Sequence, residues 1–97
     1  MEPGQALELA WGRQFKKDKR KLERQGKNLD KLWEMVALLQ SRQPLPERCR
    51  DHALRGTYAT YRDCHIEPDW VLIYRVDEEE GILRLYRMGS HAELELG

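Results

Sequence analysis

Little in this chain could staple it, anchor it or export it. Cysteine occurs only twice, at Cys49 and Cys64, and the two form no C-x-x-C pair. Without a secretory leader, that usage points to reduced thiols and the cytoplasm rather than to a disulfide framework. The opening "MEPGQALELAWGRQ" has no basic segment followed by an apolar stretch, so no signal peptide is expected. No run approaches the roughly 18–20 apolar residues of a membrane span, and no membrane contact is expected. Repeats, linkers and low-complexity segments are also missing. What is present, 40% hydrophobic and 35% charged residues, is the profile of a soluble globular chain. Residues 1–97 suffice for one domain with one core.

The net charge is zero, but the charge is not evenly spread. Between Arg13 and Lys27 the basic residues are Arg13, Lys16, Lys17, Lys19, Arg20, Lys21, Arg24 and Lys27, against the acids Asp18 and Glu23. The compensating acids come late, in "DEEE" (Asp77 to Glu80) and at Glu93 and Glu95. Such segregation creates a positive patch that favours a polyanionic partner, although a solvated helix face would carry the same charges.

Periodicity divides the chain in two. "ALELAWG" alternates for a few residues and reads as a short N-terminal strand. Phe15, Lys19 and Leu22 fit a first helix that Gly26 would stop. A second helix follows, with Asn28 as a possible N-cap. In it Leu29, Leu32, Trp33, Val36 and Leu39 recur at three- and four-residue intervals, and Pro44 and Pro46 end it by Gln43. From Leu54 onward the period is two. Arg62, Cys64 and Ile66 point one way, while Tyr61, Asp63 and His65 point the other. "WVLIYRV" reads as a central strand covered on both faces. "DEEEG" forms a hairpin loop, and "ILRLYRMGSH" is a last strand with Leu83, Leu85, Arg87, Gly89 and His91 on one face. The expected fold is α+β, an N-terminal helical hairpin packed on a twisted antiparallel β-sheet with a short N-terminal strand.

All three histidines, His52, His65 and His91, lie in the sheet half. With Asp69 and an arginine such as Arg87 they suit RNA cleavage without a metal or cofactor. A 2′-hydroxyl must lose a proton, a 5′-oxygen must gain one, and phosphorane charge must be stabilised. Histidine can act as either acid or base near neutrality, and arginine is a donor fork for phosphate oxygens. Each residue also has a structural reading: a histidine at a strand end is commonly a surface group, Trp70 and Tyr74 are commonly core, and Arg87 could pair with Asp63 or Glu67. Zinc ligation is disfavoured because no H-x-x-x-H pair occurs.

The string "RDHALRGTYATYRDCHIEPDWVLIYRV", followed by "LYRMGSH", resembles the YafQ-like branch of the RelE/ParE toxin superfamily. The resembling elements are Asp51 to Gly56 (D-H-x-L-x-G), Tyr61 to Tyr74, and Arg87 to His91 (R-x-G-[ST]-H). With the helical hairpin included, the resemblance runs from about Phe15 to His91. It implies a RelE-like fold and a type II toxin–antitoxin mRNA interferase, a ribosome-dependent endoribonuclease. Such a toxin cuts mRNA in the ribosomal 30S A site, leaving a 2′,3′-cyclic phosphate and a 5′-hydroxyl. By motif position His52, His65, Asp69 and His91 would be catalytic. Arg87 would bind phosphate, and Trp70 would shape the site or stack a base. Lys16, Lys17, Lys19, Arg20, Lys21 and Arg24 would contact rRNA phosphates, which supply affinity without sequence information. The resemblance further implies a cognate antitoxin that folds onto the toxin, with operator DNA bound by their complex. One departure stands out: the family commonly has an aromatic four residues after the last histidine, and here that position is Glu95. Two other readings stay open, a ParE-like gyrase poison on the same scaffold and a degenerate toxin that only binds its antitoxin.

Overall fold

The computed structural model describes residues 6–94, so Glu95 lies outside the described residues. Strand β1 (Glu8–Trp11) leads into helices α1 (Arg13–Arg24) and α2 (Asp30–Gln40). A short 3₁₀ turn (Glu47–Cys49) then precedes the two-residue strand β2 (His52–Ala53). Strands β3 (Arg62–Glu67), β4 (Trp70–Asp77) and β5 (Ile82–Gly89) follow, and one helical turn, α3 (His91–Leu94), ends the described chain.

Local chemistry sets the helix ends. Gly26 takes φ +80°, a conformation that glycine adopts without a Cβ penalty. Its N–H donates to the Glu23 carbonyl and that of Lys27 to the Leu22 carbonyl, at 3.0 Å each, which satisfies carbonyls the helix end would leave orphaned. The Asn28 side chain accepts from the Asp30 N–H at 2.9 Å, so the expected cap acts one residue before the observed N-cap, Leu29. Phe15 and Leu22 of α1, with Leu32, Met35, Val36 and Leu39 of α2, are the buried positions of the hairpin.

The sheet order is β1-β5-β4-β3-β2. Strands β2 to β5 pair antiparallel, whereas β1 runs parallel to β5. The chain reaches β5 only after both helices and three strands, a crossover long enough to bring β1 alongside in the same direction. Leu7 fixes its entry, because its N–H donates to the Gln40 carbonyl at 2.8 Å and its carbonyl accepts from Gln40 Nε2 at 3.0 Å.

Two bulges redirect the alternation. Pairing jumps from Tyr74–Leu85 to Ile73–Arg87, which leaves Tyr86 as an extra residue. Met88, rather than Arg87, therefore joins Leu83 and Leu85 in the helix-side core with Phe15, Trp70, Leu72 and Tyr74. The single face expected for Leu83, Leu85, Arg87 and Gly89 is broken at Tyr86. Near the β3–β4 turn the pairing shifts again between His65 and Glu67. The opposite face of the sheet has a smaller core of Val71, Ile73 and Leu94, against which Leu54 and Tyr61 pack. That thinly covered face is where the histidines gather. Among the described residues, no helix is long and apolar enough to cross a membrane.

Candidate active site

Strand register explains how distant residues meet. His65 pairs with Val71, which pairs in turn with Gly89. Two residues beyond Gly89 the chain turns into α3, and His91 swings over the β3–β4 end. The result is a ring-to-ring contact, with His65 Nε2 3.1 Å from His91 Nε2 and ring centroids 5.0 Å apart. His91 Nδ1 lies 3.1 Å from Asp69 Oδ1, which also accepts the His91 backbone N–H at 3.3 Å. His65 Nδ1 faces the Cys49 carbonyl at 3.3 Å.

A carboxylate and a carbonyl only accept, so both Nδ1 atoms carry hydrogen. The two Nε2 atoms can then share a hydrogen bond only with one further proton between them. The chain from Asp69 through His91 and His65 to Cys49 therefore sets two imidazoles Nε2 to Nε2, with an acceptor behind each ring. Asp69 is exposed, and its bonds from the His91 ring and backbone hold its carboxyl below the usual carboxylate range.

His52 enters from the short strand β2, directly opposite Asp63. Its Nδ1 sits 2.7 Å from the Arg50 carbonyl and 3.0 Å from Asp63 Oδ1. The ring is half exposed, and Nε2 makes no hydrogen bond among the described residues. Asp63 is the residue that sequence reasoning left out of the site. It is only 3% exposed, and its Oδ1 has no hydrogen-bond partner among the described residues, since His52 Nδ1 is directed at Arg50. Burial pushes the Asp63 carboxyl up, while His52, His65 and His91 pull it back down. A carboxyl beneath three imidazoles links His52 electrostatically to the other two. The signal was available in sequence, because Asp63 shares the strand face of His65 two residues away.

A capping box holds His91 in place. Ser90 Oγ accepts the Glu93 N–H at 3.1 Å, and Glu93 Oε1 accepts the Ser90 N–H at 2.9 Å. Glu93 also pairs with Lys21 of α1, so this lysine, expected at rRNA, is occupied within the fold. Lys19 pairs with Glu23 at 3.3 Å. Lys16, Lys17, Arg20 and Arg24 are exposed along α1, and the first three line a shallow depression with Trp11 and Arg13.

Trp70 lies on the helix side of the sheet, and the Arg87 guanidinium is engaged by α1 although Arg87 pairs with Ile73 on the histidine-bearing face. The Arg87 guanidinium forks onto Asp18 of α1, with Nε to Oδ2 at 2.8 Å and Nη2 to Oδ1 at 3.2 Å. Asp18 Oδ2 also accepts the Met88 N–H at 3.0 Å. This carboxylate therefore satisfies β5 where β1 no longer covers it, and neither Asp63 nor Glu67 is the partner of Arg87. Trp70 is 1% exposed within the helix-side core, beneath the Lys27 ammonium. It offers no face on which a base could stack, because strand alternation turns it away from the histidine side.

Among the described residues, no group of three or more His, Cys, Asp or Glu is arranged to hold a metal ion. Three imidazoles and two carboxylates on one thinly covered sheet face make the class clear: a small α+β domain with a candidate acid–base site. Comparison with known proteins gives that class a family. Residues 7–96 match the family described as the bacterial toxin of type II toxin–antitoxin system, YafQ. The mRNA interferase toxin YafQ of Escherichia coli K12 is 38% identical over 88 residues, which is 90% of this chain and 94% of that protein. A metal-bound toxin from Helicobacter pylori superposes with a TM-score of 0.87 at 38% identity, covering 91% of this chain and 98% of that one. The toxin of the E. coli DinJ–YafQ toxin–antitoxin complex gives 0.82 at 37% identity, covering 92% and 97%. The chain belongs to the YafQ family of bacterial type II toxin–antitoxin toxins.

Proposed function

We propose that this protein is an mRNA interferase, an endoribonuclease that cuts mRNA in the ribosomal A site by acid–base chemistry. The observation that carries the reading is the His65–His91 contact at 3.1 Å, backed at its ends by Asp69 and the Cys49 carbonyl. A site with one proton between two imidazoles can do both halves of the reaction. The His52 Nε2, which makes no hydrogen bond among the described residues, takes the proton of a ribose 2′-hydroxyl. The 2′-oxygen forms a bond to phosphorus, the bond from phosphorus to the 5′-oxygen breaks, and the imidazolium protonates that leaving oxygen. The products are a 2′,3′-cyclic phosphate and a 5′-hydroxyl. Asp69 orients His91, and Asp63 favours positive charge on the imidazoles above it.

The E. coli relative's name supports mRNA as substrate, and the DinJ complex supports a cognate antitoxin as partner, together with which this toxin would bind operator DNA. The exposed cations Lys16, Lys17, Arg20 and Arg24 suit rRNA phosphates. Such work is cytoplasmic. A Helicobacter relative has been solved with metal bound; here the proposed chemistry needs none, so toxin stripped by chelator and desalted before it meets the ribosomes should keep its activity. The test is primer extension on mRNA from ribosome-programmed reactions, with wild-type protein and His65→Ala in parallel. Cuts within A-site codons, absent without ribosomes and lost in the variant, are expected. Intact mRNA would move the protein to gyrase poisoning or to antitoxin binding alone.

A further inference from the structure

With Nε and Nη2 of Arg87 held by Asp18, further donors for an RNA phosphate beside the histidines must come from elsewhere in the fold. The segment between α2 and β2 offers two. Cys49 is buried, with Sγ 3.3 Å from Met35 Sδ, and its carbonyl takes the His65 contact already described. The flanking arginines, Arg48 and Arg50, are both exposed. The Cys49 N–H donates to the Pro46 carbonyl and the Arg50 N–H to the Glu47 carbonyl, each at 3.0 Å, so the turn is fixed from within. Arg50 adopts φ 47° and ψ 45°, a left-handed conformation that is unfavourable for a residue with a Cβ and tends to mark functional positions.

Arg48 and Arg50 line a cleft of about 590 Å3 together with Lys31, His65 and Glu67. That volume falls within the roughly 300–1,000 Å3 of small-ligand sites. The acid in the cleft, Glu67, is already paired with Lys27 at 2.7 Å and Lys31 at 2.9 Å, and those lysines hold its carboxyl below its usual range. Arg48 and Arg50 make no ion pair among the described residues. The cleft therefore presents two uncommitted guanidinium groups next to an imidazole of the acid–base pair, a combination suited to a phosphodiester.

We propose that the Arg48–Arg50 cleft is the subsite for the mRNA phosphate adjacent to the bond being cut, with Arg50 holding the strand against His65. This rests on the RNA-cleaving reading above and adds to it where the strand lies. The test is single-turnover cleavage on mRNA-programmed ribosomes over a range of protein and salt concentrations. The protein variants are wild type, Arg48→Ala with Arg50→Asn (asparagine tolerates the left-handed backbone), and Arg48→Lys with Arg50→Lys.

The Ala/Asn variant should need at least about tenfold more protein for half-maximal rate. Its dependence of log affinity on log salt should be shallower by about 0.7, the change expected for one phosphate on a single strand. The Lys/Lys variant should recover most of the loss. Wild-type cleavage with an unchanged Ala/Asn variant would overturn the subsite while leaving the nuclease standing. An equal loss of affinity for ribosomes carrying no mRNA would also overturn it, assigning the arginines to rRNA. No wild-type cleavage would overturn the nuclease reading and this proposal together.

Discussion

Asp18 is the acid whose removal should cost this fold most. Its carboxylate accepts two bonds from the Arg87 fork and a third from the Met88 N–H, and both side chains are largely shielded, at 25% and 12% exposure. Asp18→Ala would leave a part-buried guanidinium and a strand N–H unpaired at once. Hydrogen bonds to charged groups contribute about 1.5–3 kcal/mol. Because water still reaches part of the site, we expect a loss of about 2–3 kcal/mol. For a domain of this size that lowers Tm by roughly 10–20 °C. Arg87→Met should cost less, since Asp18 keeps its bond to Met88, and a double-mutant cycle should return a coupling of about 1.5 kcal/mol. Urea unfolding followed by far-UV circular dichroism measures both, as a lower midpoint at unchanged m-value. If Asp18→Ala unfolds within about 0.5 kcal/mol of wild type, Arg87 is not a structural tie and its guanidinium is available to substrate after all.

Three further outcomes follow from the same geometry. Ser90→Ala should lose about 1 kcal/mol of stability with the cap and slow cleavage more than that loss alone explains, because His91 is the first residue of the capped turn; Glu93→Gln, which can still complete the box, should lose little in either measurement. The Asp69 carboxyl titrates lower in the folded chain than in the unfolded one, so its stabilisation is present above about pH 4 and disappears as pH falls through the folded value; Asp69→Asn should flatten that acid limb in pH-dependent urea midpoints. Burial pushes the Cys49 and Cys64 thiols up, so both should resist a thiol-specific chromophore in the native state and react at the unfolding rate; immediate labelling of either would contradict their placement.

The helical hairpin was legible because its signals are local. The α2 periodicity, the Gly26 stop and the Asn28 side chain all act within a few residues of themselves. The same holds for β3, where His65 and Asp63 share a face by alternation, and for β4, whose apolar run needs cover on both sides. The unread features depend on residues far apart in the chain. Nothing near β1 says that it will lie parallel to β5, and the bulge at Tyr86 shifts Arg87 and Met88 in a way strict alternation does not foresee. Asp18 meets Arg87 only because α1 lies along the uncovered end of β5, so an acid inside a basic run gave no hint of its partner. The resemblance assigned Trp70 to the site by motif position, while strand alternation places it with Leu72 and Tyr74 in the helix-side core. Arg48 and Arg50 carry no pattern in sequence. Only the pinning of Cys49 between Met35 and His65 brings them to the site.

The central claim is that the histidine constellation performs transesterification, and the chemistry of the cut ends tests it most directly. RNA from ribosome-programmed reactions, run with toxin stripped by chelator and desalted into the magnesium that ribosomes require, should carry a 2′,3′-cyclic phosphate on the upstream fragment and a 5′-hydroxyl on the downstream one, with both lost in His65→Ala and His91→Ala. A 3′-hydroxyl paired with a 5′-phosphate, or activity that is lost on stripping the toxin and returns only when a transition metal is added back to it, would contradict the account.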